Sequence, residues 1–285
     1  MTLSSLSIAP LRPAKRVQIN SGNAAQAATI GVMLFCAALL PVTAAAYLTD
    51  ERLVNGINVW TKPLKFELSL AVHFMTLALM FNLLTEGARG SRPVRWALHA
   101  AAASGVFEIV YIALQSARGR ASHFNLNTEI ESALYMAMGF GSLLLTAAPI
   151  VLGIQIWRKG RIGIGAGLKR GAILGLVFGG VATIITAGFM SSSFIVETGR
   201  WVNGVRNDAN GIPLVGWSGT GGDLRVPHFF ALHLMQALPL LGLAADRWAK
   251  GRERAIVLGG AGAWLVIVAG TFVQALNGDP FIAWQ

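Results

Sequence analysis

The chain has 285 residues, 54% of them hydrophobic and only 13% charged, and its mean hydropathy is +0.58. A soluble domain has about 25% charged residues, so this composition excludes an ordinary soluble protein. The formal charge of +10 does not indicate nucleic-acid binding, because the basic residues cluster in short segments between apolar runs, where they set membrane topology. The single cysteine, Cys36, excludes a disulfide framework and a cysteine-based metal motif.

Apolar runs of about 20 residues recur along the chain, and each is long enough to cross a bilayer core of roughly 30 Å. They predict an all-α integral membrane protein, a bundle of seven transmembrane helices in a single domain over residues 28–276. The tail 1–27 is expected in the cytoplasm and the tail 277–285 outside. The predicted spans are residues 28–49, 64–85, 95–116, 130–156, 171–192, 226–246 and 255–276.

The first span allows two interpretations. A basic segment, an apolar run and the small residues of "PVTAAAY" resemble a cleavable secretory signal, whose removal would leave six spans. We expect a retained helix instead, because the basic segment is long and the apolar run is almost long enough to span a bilayer. The orientation of the other spans is the same in both cases.

The connecting segments alternate in charge, so all the basic ones fall on one side of a seven-span bundle. The positive-inside rule makes that side cytoplasmic, which places the N-terminus inside and the C-terminus outside. The basic residues on this side are Arg12, Lys15, Arg16, Arg89, Arg92, Arg95, Arg158, Lys159, Arg161, Lys169, Arg170, Arg247, Lys250, Arg252 and Arg254.

Two features of the second half of the chain predict how it packs. The longest connecting segment, about 193–225, is on the outside, and its residues Trp201 and Trp217 predict that it lies partly in the membrane interface as a lid. In the fifth span, three glycines recur every four residues. Such a smooth stripe on one helix face predicts close packing against a neighbouring helix. The glycines are Gly171, Gly175 and Gly179.

The polar, motif-like segments all fall on the outer side, so a site there would be reached from outside. Three helices begin on this side, and helix N-termini offer free N–H groups and a partial positive charge. Together with nearby basic residues they suit an anion such as a lipid phosphate, a carboxylate or a haem propionate; the alternative is interfacial anchoring. The candidate rim residues are Lys62, Lys65, Arg118, Arg120, Ser122, His123, Asn125, Arg225 and His228.

Three ionisable residues lie deeper, roughly 10–13 Å from the outer ends of three separate helices at 1.5 Å per residue. They are His73, Glu108 and His233. Because an ionisable group in hydrocarbon is costly, this layer indicates a buried polar network, a metal site or a haem site. His228 is five residues from His233, which rotates it by about 140° around the helix, so His228 is assigned to the rim.

Two acidic residues near helix starts are expected to be structural. Thr128 and Glu131 fit a capping box for the fourth span. Asp223 fits a cap for the sixth span, with Pro227 in the first turn that follows.

Three segments, "WTKPLKFELS", "LQSARGRASHFN" and "GGDLRVPHFFALHLMQALP", together resemble an uncharacterised family of bacterial polytopic inner-membrane proteins. The resemblance covers most of spans two to six. It implies a location in the inner membrane of a bacterium, but no activity. It also supports one constellation of residues at the outer face, namely Arg118, Ser122, His123, Asn125, Asp223, Arg225, His228 and His233.

The chain is also similar, in part, to the alkaline ceramidase group of membrane zinc hydrolases. In that pattern a serine, three histidines and an aspartate build a zinc site that activates water, and Ser69 and His73 match its serine–histidine spacing. The later histidine pair departs from the pattern, because His228 and His233 have four residues between them rather than three and lie in the penultimate span.

Four functions are consistent with these residues. In a haem- or metal-dependent redox protein, His73 and His233 would ligate haem b, or with His228 a divalent metal, while Lys65 and Arg225 would hold propionates. In a metal-assisted hydrolase, the catalytic candidates are Glu108, Asp223 and His123.

The other two hypotheses need no cofactor. The first is a binding or transport protein for a small anion or lipid, favoured by the helix N-termini and the rim, although the chain lacks the inverted repeat of a typical secondary transporter. The second is a structural membrane protein whose polar layer is a satisfied network. The lipid bilayer is the one partner that all four hypotheses share, and the sequence does not indicate an oligomeric state.

Overall fold

The computed structural model of the chain describes residues 24–192, 200–209 and 211–283. These ranges form eight α-helices, seven of which are long and apolar enough to cross a membrane, and two very small sheets. The protein is therefore an all-α, multi-pass membrane bundle, as its composition predicts. The helices are α1 (Ala24–Thr49), α2 (Thr61–Phe81), α3 (Glu86–Arg89), α4 (Arg92–Ala117), α5 (Glu129–Lys159), α6 (Ala166–Ser191), α7 (Arg225–Trp248) and α8 (Glu253–Leu276).

Each sheet is a single antiparallel pair of two-residue strands. The first pairs β1 (Leu53–Val54) with β2 (Ile57–Asn58), between α1 and α2. The second pairs β3 (Trp201–Val202) with β4 (Gly222–Asp223), between α6 and α7. Both therefore lie at the same end of the bundle, in connections rather than in the core.

The second predicted span continues beyond the end of the observed helix α2. The prediction continues this helix to residue 85, but it ends at Phe81. The chain then leaves helical geometry because Leu84 forms an isolated bridge with Gly160, and the Thr85 N–H donates to the Lys159 carbonyl at 3.1 Å. Several other helices extend a few residues beyond the predicted limits. The basic residues Arg12, Lys15 and Arg16 lie outside the described residues.

The glycine stripe of α6 packs against α7, which confirms the predicted packing role. A Cβ atom built on Gly171 would overlap the Leu238 carbonyl oxygen, and one on Gly175 would lie 2.6 Å from the Leu234 carbonyl oxygen. On Gly179 it would lie 3.0 Å from Leu234 Cβ. Only glycine allows the two backbones to approach so closely, so α6 and α7 form the most intimate helix pair in the bundle.

The predicted cytoplasmic segments meet at one end of the bundle. The Arg161 N–H donates to the Leu83 carbonyl at 2.8 Å, which joins the connection after α2 to the one after α5. The Asp246 carboxylate, near the end of α7, accepts the N–H groups of Gly167 and Leu168 at 2.7 and 2.8 Å and so caps the start of α6. We call the opposite end, with β1–β2, the α4–α5 connection and β3–β4, the outer end.

Candidate functional site

The described part of the α6–α7 connection, residues 200–209 and 211–224, folds over the outer end, and we call it the cap. The Asp208 N–H donates to the Asn55 carbonyl at 2.9 Å, which joins the cap to the β1–β2 hairpin. On the other side, the Trp217 ring packs edge-on against Phe229 of α7 and Phe281 beyond α8, with ring centroids 5.3 and 5.6 Å apart. This placement agrees with the lid predicted for this segment.

A chain of ion pairs holds the cap to the start of α7. Arg225 makes a bidentate contact with Asp223, with Nε–Oδ1 and Nη2–Oδ2 distances of 2.9 and 2.6 Å. Its Nη1 lies 3.0 Å from Asp208 Oδ1, and Asp208 also pairs with Arg200. The Arg200 guanidinium lies over the Trp201 ring, 4.1 Å from its centroid. Each cap carboxylate thus forms an ion pair with at least one arginine.

Two lysines from the first turns of α2 lie beside these ion pairs but form no ion pair with a carboxylate in the described ranges. Lys65 Nζ donates to the Val215 carbonyl at 3.0 Å. The half-buried Lys62 has its ammonium 5.8 Å from the Phe66 ring centroid, and no hydrogen bond or ion pair reaches it from any residue that the structure describes. We call the four cations with Asp208 and Asp223 the cationic cluster; its cations are Lys62, Lys65, Arg200 and Arg225.

Among the described residues, the cationic cluster therefore has four cations against two carboxylates. Lys62 interacts electrostatically with both Arg200 and Arg225, as well as with Asp208. Burial and the nearby Arg225 lower the pKa of Arg200, although a guanidinium remains protonated in proteins. This crowding of like charges, close to the N-termini of α2 and α7, makes the region attractive to an anion.

His123, from the α4–α5 connection, forms one wall of the cationic cluster. Its ring centroid lies 5.6 Å from that of Phe66 and 6.2 Å from that of Tyr135, and its Nδ1 lies 3.2 Å from the Ser122 hydroxyl. Burial, followed by the positive charges of Lys62 and Arg200, lowers the pKa of His123 well below its ordinary value of 6.5. The ring is therefore neutral at physiological pH.

The remaining rim residues of the α4–α5 connection stabilise that connection itself. Arg118 donates to the Gln115 side-chain oxygen at 2.8 Å, and Asn125 donates to the Ala121 carbonyl at 3.0 Å. Ser122 is buried beside His123. The predicted rim is thus divided: Lys62, Lys65 and Arg225 join the cationic cluster, whereas Arg118, Ser122 and Asn125 contact their own segment.

Thr128 caps α5 as predicted, and its hydroxyl accepts the Glu131 N–H at 3.2 Å. The Glu131 carboxylate forms an ion pair with Arg120 at 3.0 Å, so both residues are structural. At the start of α7, the N-cap position is Leu224. Asp223 nevertheless accepts the Arg225 N–H at 3.0 Å and so performs the predicted capping from one residue earlier. Both oxygens of the Asp223 carboxylate are thus bonded to Arg225.

Two of the three deep residues face the same stripe of α5. Glu108 is 3% exposed, and a Cβ atom on Gly141 would lie 3.6 Å from its Oε1. His73 is 6% exposed and lies beside the backbone of Leu145, one turn further along α5. Glu108 Oε1 and His73 Nε2 are both buried without a hydrogen-bond partner among the described residues. They converge on α5, as the shared depth predicts.

The third deep residue, His233, lies at the level of His73 on a different helix. Gln236 donates to the Thr76 hydroxyl at 3.0 Å, which joins α7 to α2. Both helices run inward from the outer end. His73 precedes Thr76 by three residues and His233 precedes Gln236 by three residues, so the two imidazoles lie at about the same depth in the bundle. His233 packs on Phe229, with ring centroids 4.2 Å apart.

His228 has different neighbours. Its Nδ1 lies 3.2 Å from the Thr186 hydroxyl of α6. His228 and His233 still interact electrostatically, although the rotation of about 140° turns their rings towards different helices. His228 is turned towards α6, not towards the cationic cluster of the rim.

The described residues do not assemble a metal site. His73 and His233, the two predicted haem ligands, have separate neighbours, since His73 lies beside Leu145 and His233 packs on Phe229. Across the described ranges, no three histidine, cysteine or acidic side chains are grouped closely enough to hold a metal ion. The serine–histidine pair of α2 therefore has no assembled set of zinc ligands around it.

Two members of the cationic cluster, Arg200 and Asp208, were not among the predicted site residues. Both belong to a glycine-rich connection without helical or strand periodicity, where sequence spacing gives no information about spatial neighbours. The one local signal was the pair Arg200–Trp201, a cation beside an aromatic residue in an outer segment. Their place in the site is fixed by ion pairs with distant residues.

Comparisons with family models, with curated proteins and with solved structures find no match for this chain. Among the described residues, the main features of the site are the excess of cations in the cationic cluster and, deeper in the bundle, two buried polar atoms without a hydrogen-bond partner that face α5.

Proposed function

We propose that this is a bacterial inner-membrane protein that binds a small anion at its outer end, as a binding or transport protein. The observation that carries the proposal is the Lys62 ammonium. It lies half-buried among the cations of the cationic cluster, and no carboxylate among the described residues pairs with it. A cation in this position is costly unless an anion compensates it.

Simple anchoring at the membrane interface explains Lys62 less well. A snorkelling lysine extends its ammonium into water or among lipid headgroups. The Lys62 ammonium instead lies near Phe66 and interacts with charges on the cap and on α7. Its neighbour Lys65 is already bonded to the cap carbonyl of Val215, whereas Lys62 has no acceptor among the described residues and can donate to a carboxylate or a phosphate.

Replacing Lys62 by glutamine is expected to weaken binding of acetate and inorganic phosphate by tenfold or more, on the order of one charge-assisted hydrogen bond. The measurement is thermal unfolding of the purified full-length protein in phosphatidylcholine nanodiscs, titrated with each anion. At an anion concentration of about 100 times Kd, the wild type should gain about 2.7 kcal/mol of stability. The matched control is Lys250→Gln, an exposed lysine at the opposite end.

A lipid phosphate has the same chemistry as free phosphate, so a second set of nanodiscs contains phosphatidylglycerol. Stabilisation by phosphatidylglycerol that acetate and phosphate cannot reproduce assigns the site to a lipid headgroup. The proposal is wrong if neither free anions nor the anionic lipid stabilises the wild type, or if Lys62→Gln responds like Lys250→Gln.

Anion binding is also expected to raise the pKa of His123. The charges of Lys62 and Arg200 contribute to its depressed pKa, and a bound anion offsets those charges. By linkage, acetate should then bind more tightly as the pH falls towards the raised pKa. The measurement is the ring-proton NMR titration with and without acetate, assigned with His123→Gln. An unchanged titration in saturating acetate would place the bound anion away from these cations.

A further inference from the structure

Two residues of opposite charge, one near the outer end and one deeper in the bundle, do not form an ion pair. Lys62 on α2 and Glu108 on α4 interact electrostatically, yet no ion pair joins them. In the part of the chain that the structure describes, no hydrogen bond or ion pair reaches the Lys62 ammonium, and Glu108 Oε1 is buried without a hydrogen-bond partner. An unpaired cation and an unpaired carboxylate usually form an ion pair when no other group lies between them.

From this pair we infer that the ligand is a small zwitterion, with an anionic group for Lys62 and an ammonium group for Glu108. The inference rests on the proposed anion site and adds the second half of the ligand. A simple anion would neutralise Lys62 and leave the buried carboxylate uncompensated. A ligand with both charges satisfies both residues, and the ammonium can donate to the unpartnered Oε1.

Glu108 Oε1 is buried beside small residues. The facing residue of α5 is Gly141, and the small Ser104 of α4 also lies against that glycine. A methyl group on Gly141 would stand 3.6 Å from Oε1, in ordinary contact and without a clash. An alanine at this position is therefore expected to fold normally while it occupies the space beside the carboxylate.

The test compares ligands that differ by a single amine, namely acetate with glycine and butyrate with 2-aminobutyrate. Binding to the purified full-length protein is measured by calorimetry in nanodiscs. The amino compound of each pair is expected to bind about tenfold or more tightly than its parent acid, as a charge-assisted hydrogen bond provides. Equal affinities within both pairs would overturn the inference.

Two variants locate the preference at Glu108. Glu108→Gln keeps the size of the side chain but removes its charge, so the ratio of affinities within each pair should fall to about one. Gly141→Ala should lower the ratio because its methyl group occupies the space beside the Glu108 carboxylate. This variant gives a second readout if Glu108→Gln does not fold. The control is Gly139→Ala on the same helix, where no atom lies within 4 Å of an added Cβ, and its ratio should equal that of the wild type.

The two proposals fail in different ways. If acetate binds and Lys62→Gln abolishes its binding, but glycine is no tighter than acetate, only the zwitterion is excluded. If acetate, glycine, inorganic phosphate and phosphatidylglycerol all fail to bind, the anion site itself is excluded. A preference for amines that survives in both Glu108→Gln and Gly141→Ala would place the ammonium elsewhere and contradict the role of Glu108.

Discussion

Replacing Gly171 with alanine is expected to lower the free energy of unfolding by about 3 kcal/mol, at the upper end for an overpacked site. The added methyl group would overlap the Leu238 carbonyl oxygen, which belongs to the backbone of α7. No side-chain rotation relieves such a contact, so α6 and α7 must separate along their length. The measurement is thermal unfolding of the purified protein in detergent, followed by tryptophan fluorescence.

The matched control for this substitution is Gly188→Ala on the same helix. No atom lies within 4 Å of an added Cβ at this position, which is exposed. Alanine is the better helix former by about 1 kcal/mol, so this variant should unfold at the same temperature as the wild type or slightly higher. Equal losses in both variants would mean that the glycines matter for helix conformation and not for contact with α7.

Replacing Asp223 with alanine is expected to cost about 3 kcal/mol or more, as loss of one partner of a buried ion pair does. The carboxylate is 1% exposed and accepts the Ser218 N–H at 2.9 Å as well as the guanidinium and backbone N–H of Arg225. Its removal leaves these donors without their acceptor and frees the cap from α7. The readouts are the unfolding temperature and the rate of proteolytic cleavage within the cap.

Asp279→Ala is the control, because this aspartate is exposed and also lies at the outer end. It should unfold and be cleaved like the wild type, since an isolated surface charge contributes little. Asp223→Asn should be intermediate, because an amide keeps one acceptor oxygen but loses the charge. An Asp223→Ala protein with wild-type stability and cleavage would show that the ion pairs do not hold the cap.

The features predicted well from the sequence depend on information local to one helix. The seven spans follow from hydropathy over about 20 residues, and the glycine contacts follow from a four-residue period. The Thr128 cap follows from the preference of hydroxyl side chains for that position. The convergence of His73 and Glu108 on α5 follows from depth and from the cost of exposing either group to lipid.

The features that the sequence could not supply depend on contacts between distant segments. The early end of α2 is set by the bridge from Leu84 to Gly160, which no hydropathy window includes. The division of the rim is set by where the cap folds, and this depends on Asp208 meeting both Arg200 and Arg225. Charge and depth therefore identified Lys62 and Glu108 as candidates. Only the three-dimensional structure shows that neither forms an ion pair with a described residue.

The two-sided attachment of α6 to α7 has a mechanical consequence. Backbone contact along the glycines and the Asp246 cap at one end make these two helices a single rigid body. Between α7 and α2, by contrast, backbone contact is sparse and the Gln236–Thr76 hydrogen bond is the direct polar link. Any movement of the α6–α7 pair that widened the outer end would therefore occur at the boundary between α2 and α7. A solute that entered there would pass between two parts of the bundle.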